Sequence, residues 1–511
     1  MTAVLLLGAF AMAADLPPDF ALPPPPGEYV EAGGPVSAGG TFRSKSPLIA
    51  TTYFYWYDAA SRGHIVNANG TDALTDHPPT LEGFSYHNLD WHSRQLADMI
   101  EAGLDVALPV YWGTPLSQRH WSDEGLPKLV AAREQLIRHG RNPPPIGMFF
   151  DTSTLRHNEG GYHVDLTSDA GRRWFYGTIR NFWSLIPPEH RARIDGKPLV
   201  FLYASAFARA VDAQLFPAVR AMFQRDFGTD LFLVKMHGWP GAADSEYQWG
   251  GALAPRFLDT AGLGPGYDHS AVPGRTPLVR PREDGQFYRR AWQQLLAKEV
   301  DSRPWLVHVE TWNEFHEGTE ICETREYGRK YIELTRQFAD AFHAGQQLDR
   351  AVLRAGRTSA TAAPAHSDAL RIVPQPEGDG PLVEKTVSGR LAWSTTTNRH
   401  SPVARYLYFD VDDAFLFDED EPIELTVTYL DAGPGEFRVD YDSNDPQLDG
   451  LRQQFRPTAP QRLEGTGTWK EARFALPHAR FAGRSNGADF RLATAGQDLL
   501  VARVSLRLAE P

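Results

Sequence analysis

The chain is almost without cysteine, and that scarcity limits its chemistry. The single cysteine among 511 residues is Cys322, so no disulfide can form within the chain and no cysteine-rich zinc site can be built. Basic residues are a minority too, with 51 lysines and arginines against 64 aspartates and glutamates and a net charge of −13. Because a protein that binds nucleic acid needs a basic face, this balance argues against a nucleic-acid partner.

Long apolar segments are also lacking. The apolar run over residues 3–11 is too short to cross a bilayer, and no other segment of the sequence is typical of a membrane span. The residues Ala11-Met12-Ala13 at its end form an A-x-A cleavage signal, although no lysine or arginine precedes the run. The pattern predicts a signal peptide over residues 1–13 and a secreted or periplasmic protein, with a cytoplasmic chain as the alternative.

Several catalytic and cofactor-binding motifs are missing from the sequence. There is no G-x-S-x-G element of a serine hydrolase, and His316-Glu317 does not complete H-E-x-x-H because Glu320 stands where the second histidine would be. The glycine-rich stretch 262–266 has no predicted strand before it and no helix after it, so it is not a dinucleotide fingerprint. We therefore expect neither a cofactor nor a metal centre.

Residue types change along the chain in a way that predicts a leader and two domains, as expected for a chain too long for one core. Residues 14–47 are rich in proline and glycine and are interpreted as an N-terminal arm. Strands alternate with helices over residues 48–345, whereas residues 346–366 lack periodicity and are interpreted as a linker. Residues 367–511 favour period-2 strands separated by turns, which predicts an all-β sandwich of the jelly-roll type.

Alternating strands and helices over about 300 residues are typical of a parallel sheet, most simply a (β/α)8 TIM barrel in an α/β domain. The two strands that complete the barrel must lie within residues 245–280, where periodicity is poor. A doubly wound open sheet is the alternative fold. The six clear strands cover residues 49–56, 105–112, 146–150, 199–203, 231–236 and 305–309.

Polar and aromatic residues recur at the predicted strand ends, where a barrel carries its active site. Aromatic residues make up 12% of the chain, a content that suits a site for flat-faced ligands. For any single one of them, packing at the top of the barrel is an equally good interpretation. The candidate substrate-binding residues are Tyr55, Trp56, Tyr111, Trp112, Asp151, Tyr203, His237, Trp239, Tyr267, Asp268, Glu310, Trp312 and Asn313.

Glu314 and Glu317 are the strongest candidates for a catalytic pair. They lie three residues apart, just beyond the last predicted strand. Cleavage of a glycoside needs one group that protonates the departing oxygen and another that assists at the anomeric carbon. The alternative is an acidic helix start that stabilises the helix dipole, which suits Glu320 and Glu323 better than this pair. The spacing therefore favours Glu314 and Glu317 as catalytic acid and base.

Residues 312–319, Trp-Asn-Glu-Phe-His-Glu-Gly-Thr, resemble the W-N-E-W-x-E-G-T signature of glycoside hydrolase family 99, a group that includes the endo-α-mannosidases. The rings of residues 53–57 resemble the opening strand of that family, and the resemblance covers about residues 48–345. It implies a (β/α)8 barrel that acts on α-linked glycans with retention. It also implies that Glu314 is the base on the substrate 2-hydroxyl and that Glu317 is the general acid, then the base for water.

The chain also departs from that signature. Phe315 stands in place of the second tryptophan, so the identity of the sugar does not follow from the resemblance. The β-sandwich resembles the carbohydrate-binding modules of secreted glycosidases, with a purely structural sandwich as the alternative. The sequence thus predicts a glycoside hydrolase whose partner is a polysaccharide or oligosaccharide. The alternative function is non-catalytic glycan binding on a glycosidase scaffold.

Overall fold

The computed structural model describes residues 14–30, 41–117, 120–376, 378–399 and 402–509. The predicted signal peptide, residues 1–13, lies outside the described residues. The chain forms two compact units, Met1–Gln347 and Leu348–Pro511.

Eight parallel strands form the core of the first unit. They follow one another around the sheet in chain order, and the last strand returns to pair with the first. The sixth and seventh strands are joined through side chains, with 2.7 Å between Ser245 Oγ and Thr260 Oγ1. The strands are β1 (Leu48–Tyr53), β2 (Val106–Tyr111), β3 (Met148–Phe150), β4 (Lys197–Leu202), β5 (Phe232–Met236), β6 (Ser245–Tyr247), β7 (Thr260–Leu263) and β8 (Leu306–Val309).

This circular arrangement confirms the predicted TIM-barrel-like domain and excludes the doubly wound alternative. Strands β6 and β7 lie within residues 245–280, where the sequence required them, and are too short for a period-2 pattern to stand out. The prediction that no strand precedes the glycine-rich stretch 262–266 was wrong, because β7 begins at Thr260 and includes Gly262. A Cβ there would lie 3.3 Å from Glu310 Oε1, so this strand carries glycine where a polar side chain approaches it.

Six helices accompany the barrel strands, while loops join β5 to β6 and β6 to β7. The first helix begins after Asn88, whose side chain accepts a hydrogen bond from Asp90 N–H, and ends at Gly103 with a φ of 77°. None of the helices in the described residues combines the length and apolarity of a membrane span. The helices are α1 (Leu89–Ala102), α2 (Trp121–Arg138), α3 (Asp169–Ser184), α4 (Leu215–Phe227), α5 (Gln286–Ala297) and α6 (Lys330–His343).

The described part of the N-terminal arm, residues 14–30, lies against α3. Arg173 Nε donates to Phe20 O at 2.9 Å, and Tyr29 N–H donates to Ser184 O at 3.0 Å. Proline has no N–H, so the arm contributes carbonyl oxygens, which accept from Arg173, and the N–H groups of its other residues, of which Tyr29 donates to Ser184. The arm is therefore bound to the barrel wall through its backbone.

The second unit consists of two antiparallel sheets that share one apolar core. The predicted all-β domain is confirmed, and the jelly-roll topology remains a prediction. Two short helices, α7 (Arg350–Arg354) and α8 (Gly450–Gln454), accompany the sheets. One sheet contains β9 (Ser359–Ala363), β10 (His366–Asp368), β12 (Leu382–Val387), β13 (Arg390–Thr395), β15 (Glu421–Leu430), β19 (Trp469–Ala479) and β21 (Leu500–Leu508); the other contains β11 (Leu370–Ile372), β14 (Ala404–Val411), β16 (Pro434–Tyr441), β17 (Arg456–Pro457), β18 (Gln461–Glu464) and β20 (Phe490–Ala495).

The interpretation of residues 346–366 as a linker was wrong, because α7 and β9 lie there. Strand β9 pairs with β21 at the end of the chain, with Thr361 opposite Ser505. Its sequence, Ser-Ala-Thr-Ala-Ala, alternates polar and apolar side chains over four residues only, with alanine as the one apolar type. A distant partner strand, rather than local periodicity, makes this segment a strand.

Candidate active site

The three glutamates of the last strand end lie in a tightly folded loop. Glu310 directly follows β8, and Thr311 N–H donates to Thr319 O at 2.8 Å, which folds the loop back on itself. The Thr311 hydroxyl oxygen accepts from Glu314 N–H at 2.9 Å. These bonds fix the backbone that carries Glu314 and Glu317.

Glu314 is buried and has one occupied and one unpaired carboxylate oxygen. Its Oε1 accepts from the backbone N–H of His316 at 3.0 Å and lies 3.0 Å from His316 Nδ1, whereas Oε2 is buried without a hydrogen-bond partner. Burial raises the pKa of Glu314, the charge and hydrogen bonds of His316 oppose this, and the charge of Glu317 adds to it. An unpaired buried oxygen on a carboxyl of raised pKa is an acceptor poised for a proton from a ligand.

Glu317 is more open than Glu314, with 23% of its side chain exposed. Its Oε1 lies 3.0 Å from Arg275 Nη1, and its backbone carbonyl accepts from Asp268 N–H at 2.8 Å. Burial raises the pKa of Tyr267, and the nearby charge of Glu317 raises it further. Residues 267–275, which follow β7, therefore surround the carboxylate of Glu317.

Glu310 is a buried carboxyl held by backbone amides. Gly250 N–H donates to both of its oxygens, at 3.2 Å to Oε1 and 2.9 Å to Oε2. Burial raises the pKa of Glu310 to about 8, although the backbone N–H groups of residues 250–252 and the charge of Arg256 lower it. Glu310 thus keeps its proton at neutral pH.

We expect Glu310 to make the folded chain less stable as pH rises towards 8. The unfolded carboxyl ionises near 4.5, whereas the folded one keeps its proton to about pH 8. Its contribution to stability is therefore fully present below pH 4.5 and is lost as pH rises to 8. Urea denaturation of Glu310→Gln should show the unfolding free energy, relative to wild type, increasing between about pH 5 and pH 8.5. The exposed Glu82→Gln is the control, and the same difference at both pH values for Glu310→Gln would contradict the assignment.

The ends of β3 and β4 bring two more candidates to Glu317. Asp151 follows β3 and accepts from Ser153 N–H at 2.9 Å. Burial raises the pKa of Asp151, and the charge of Glu317 adds to this against hydrogen bonds from Ser153 and Trp112. Burial, together with the charges of Asp151 and Glu317, likewise raises the pKa of Tyr203, which follows β4. Side chains from β3, β4, β7 and β8 therefore converge on one carboxylate.

An aromatic stack stands beside Glu314. The Trp56 ring lies between the rings of Trp112 and His64. The ring centroids are 4.4 Å apart in both pairs, and the angle between the ring planes is 5° with Trp112 and 9° with His64. The same Trp56 ring lies 5.2 Å from the ring of His316. Trp56 and Trp112 are partly exposed and His64 is exposed, so the stack reaches from the carboxylates to solvent.

Other candidates are buried in the barrel wall, where packing explains them. Asn313 uses its whole amide on Phe54, accepting from its N–H and donating to its carbonyl, both at 2.7 Å. Trp312 Nε1 donates to Gln95 Oε1 at 2.6 Å. The candidates with fully buried side chains are Tyr55, Tyr111, Trp312 and Asn313.

The candidates after β5 also differ from those around Glu317. Trp239 is 2% exposed, and its Nε1 donates to Tyr203 O. His237 is exposed, and its Nδ1 forms a hydrogen bond with Glu246. The end of β5 thus supplies a buried ring and a surface histidine.

Three residues in the site, Arg275, His316 and His64, were missed as candidates in the sequence. Arg275 lies in a loop without periodicity, and nothing local connects it with Glu317. His316 occupies the variable position of the signature, so the resemblance gave it no role. A basic residue in a loop between two strands is a weak indication of a site residue. A histidine between two candidate catalytic glutamates is a stronger one and could have been used.

Two further observations concern parts of the first unit other than the strand-end carboxylates. Among the described residues, no group of three or more histidine, cysteine, aspartate or glutamate side chains suits a metal ion. A groove of about 460 Å³ lies between the N-terminal arm and α2, where Tyr29, Val130 and Leu185 line it. It contains none of the carboxylates at the ends of the strands.

A known family model matches most of the first unit. Residues 39–351 match a family model described as a domain of unknown function, DUF5010. The chain belongs to the DUF5010 family. This match covers the barrel and its strand-end carboxylates, so the site described above lies within the DUF5010 domain.

Relatives of this DUF5010 protein confirm its resemblance to the endo-α-mannosidase group. A mouse glycoprotein endo-alpha-1,2-mannosidase-like protein is 36% identical over 107 residues, which are 17% of this chain and 23% of the relative. The human protein of the same name is 36% identical over 95 residues, 16% of this chain and 20% of the relative. The chain thus spans about a fifth of the length of these relatives. The solved GH99 endo-alpha-mannosidase from Bacteroides thetaiotaomicron is 16% identical, with a TM-score of 0.41 over 61% of this chain and 100% of that one.

Proposed function

We propose that this chain is a secreted glycoside hydrolase that cleaves an O-glycosidic bond in a polysaccharide or glycan. The observation that carries the proposal is the pairing of a buried glutamate that has one unpaired oxygen, Glu314, with a partly open glutamate, Glu317. Glycoside cleavage requires two carboxyl groups in different environments, one acting as acid and the other as base or nucleophile.

Glu314 is proposed as the base and Glu317 as the acid. The substrate 2-hydroxyl gives its proton to Glu314 Oε2, and its oxygen attacks the anomeric carbon. The glycosidic C–O bond breaks as Glu317 gives its proton to the departing oxygen. Water then attacks the anomeric carbon and gives its proton to Glu317. The bond from that carbon to the 2-oxygen breaks, and Glu314 returns its proton to the 2-oxygen, so the configuration at the anomeric carbon is retained overall.

The surroundings of the two glutamates support this division of roles. Burial raises the pKa of Glu314, which strengthens it as a proton acceptor. Glu317 reaches solvent, which an acid that must meet a leaving group and then a water requires. In the stack Trp56 lies between Trp112 and His64, so the outer rings, Trp112 and His64, supply the flat faces on which a sugar can lie beside the carboxylates.

The decisive experiment is digestion of a panel of α- and β-linked glycans with the purified full chain, followed by product analysis. Release of a shorter glycan by wild type, absent from a Glu314→Gln/Glu317→Gln double variant, is the expected result. Proton NMR of the first product should show the anomer of the substrate. Glycan binding without release by wild type would overturn the hydrolase proposal, and the opposite anomer would overturn the anhydro-sugar route.

A further inference from the structure

The histidine between the two glutamates is bound at both ring nitrogens. His316 Nδ1 lies 3.0 Å from Glu314 Oε1, and Nε2 lies 2.7 Å from His64 O. A carbonyl oxygen only accepts, so Nε2 carries a hydrogen. The ring therefore shares at most one further proton with Glu314, either as imidazolium with carboxylate or as imidazole with carboxylic acid.

The backbone is shaped to make this contact. His64 has a φ of 56°, in the left-handed region that is uncommon for residues other than glycine, and its carbonyl oxygen accepts from His316 Nε2. The His316 ring also lies 5.2 Å from Trp56 and 5.6 Å from Tyr57, which limit its rotation. Strain of this kind persists only where the surroundings hold it, and here they hold an imidazole against a carboxylate.

We propose that His316 is a positioning residue that clamps Glu314 Oε1 and supplies the balancing positive charge, so that only Oε2 is free to take a proton from the substrate. This inference rests on the proposed function, because it assigns a role within the same site. The backbone N–H of His316 occupies Oε1 as well, at 3.0 Å, so the clamp is double. Oε2 remains the unpaired oxygen.

The charges around His316 support its protonated form. Burial lowers its pKa, but the carboxylate of Glu314 and the His64 carbonyl outweigh this, and Glu317 adds to them, so that the pKa of His316 is raised. The ring centroids of Trp56, Tyr57 and His64 lie 5.2, 5.6 and 6.2 Å from that of His316. The carboxylates of Glu314 and Glu317 are the charged groups that face the imidazole. The neighbouring imidazole of His64 is titratable too, and burial together with the charge of His316 lowers its pKa to about 4.

The clamp can be tested without turnover by NMR titration of ¹³C-labelled histidines in the full chain. The His316 resonance, identified by its loss in His316→Asn, should titrate above pH 6.5 in wild type and at lower pH in Glu314→Gln. His77 is the matched control, because Asp72 and Glu326 raise its pKa and the Glu314 change should leave it in place. Titration of His316 at the same pH in both proteins would overturn the proposal.

Kinetics of His316→Asn supply the second readout. The asparagine amide can still donate to Glu314 Oε1 but carries no charge, so kcat should fall about 10- to 100-fold with little change in KM. The pH profile of kcat/KM should also lose one ionisation, and an unchanged profile would contradict the proposal. If wild type cleaves no glycan, the proposed function fails, and the NMR titration still decides whether the clamp exists.

Discussion

Glu317→Gln should lower kcat/KM on natural glycans by about 10²- to 10⁴-fold, the usual contribution of a positioned general acid. Glutamine keeps the shape of the side chain but has no proton to give to the departing oxygen. The loss should be much smaller on an aryl glycoside whose leaving group needs no protonation. Glu314→Gln should be poor on both substrates, because each of them still needs the base on the 2-hydroxyl.

Glu323→Gln is the matched control for these variants. It makes the same chemical change six residues away, in a side chain that is 41% exposed and paired with Arg329 at 3.2 Å. Its kcat/KM should match wild type within about twofold, since an exposed ion pair contributes little. Equal losses of Glu317→Gln on natural and aryl substrates would contradict its role as the acid.

Site residues that lie close together in the sequence could be predicted from it. Contacts between residues from different strand ends could not, because they depend on the fold. Glu314 and Glu317 lie in one short string after an apolar strand, so pattern and spacing were enough to find them. The amide of Gly250 on Glu310 and the guanidinium of Arg275 on Glu317 come from the ends of other strands. Only closure of the barrel brings them together, and no local period records it.

Sequence reasoning also could not separate ligand-facing rings from packing rings. Trp56 and Trp312 both stand at strand ends, yet Trp56 is partly exposed in the stack whereas Trp312 is buried and donates to Gln95. Asn313 was predicted to bind substrate, but its side-chain oxygen and nitrogen are both hydrogen-bonded to the backbone of Phe54. The direction of a side chain beyond the last strand residue depends on the loop backbone, which composition does not specify.

In the second unit, too, local sequence was not enough to predict every strand. Strands β12 and β13 form a hairpin through Ser388 and Gly389, with φ values of 53° and 73°, as a type I′ turn requires. The Ser-Gly dipeptide is a usable turn signal, but four of the six residues of β12 are exposed and the strand lacks apolar alternation. Such edge strands depend on their neighbours more than on their own sequence.

Arg282→Leu should lower the free energy of unfolding by about 3–5 kcal/mol, the usual cost of removing one partner of a buried ion pair. Arg282 is only 7% exposed and forms ion pairs with Glu320 and with Asp76 Oδ2, the latter at 3.2 Å. Burial lowers the pKa of Arg282, but these two carboxylates outweigh this and raise it. Without the guanidinium, two acidic groups remain buried and face each other.

The loss should reach the active site, because Arg282 also holds the loop that carries Glu317. It donates to Gly318 O at 3.0 Å and to Glu320 O at 2.9 Å. Arg282→Lys keeps the charge but not the planar fork, so it should recover only part of the stability and little of the activity. Arg290→Leu, which breaks the exposed pair with Glu283, should cost less than about 1 kcal/mol in the same urea titration. A similar cost for Arg282→Leu and Arg290→Leu would show that the buried pair does not hold the loop.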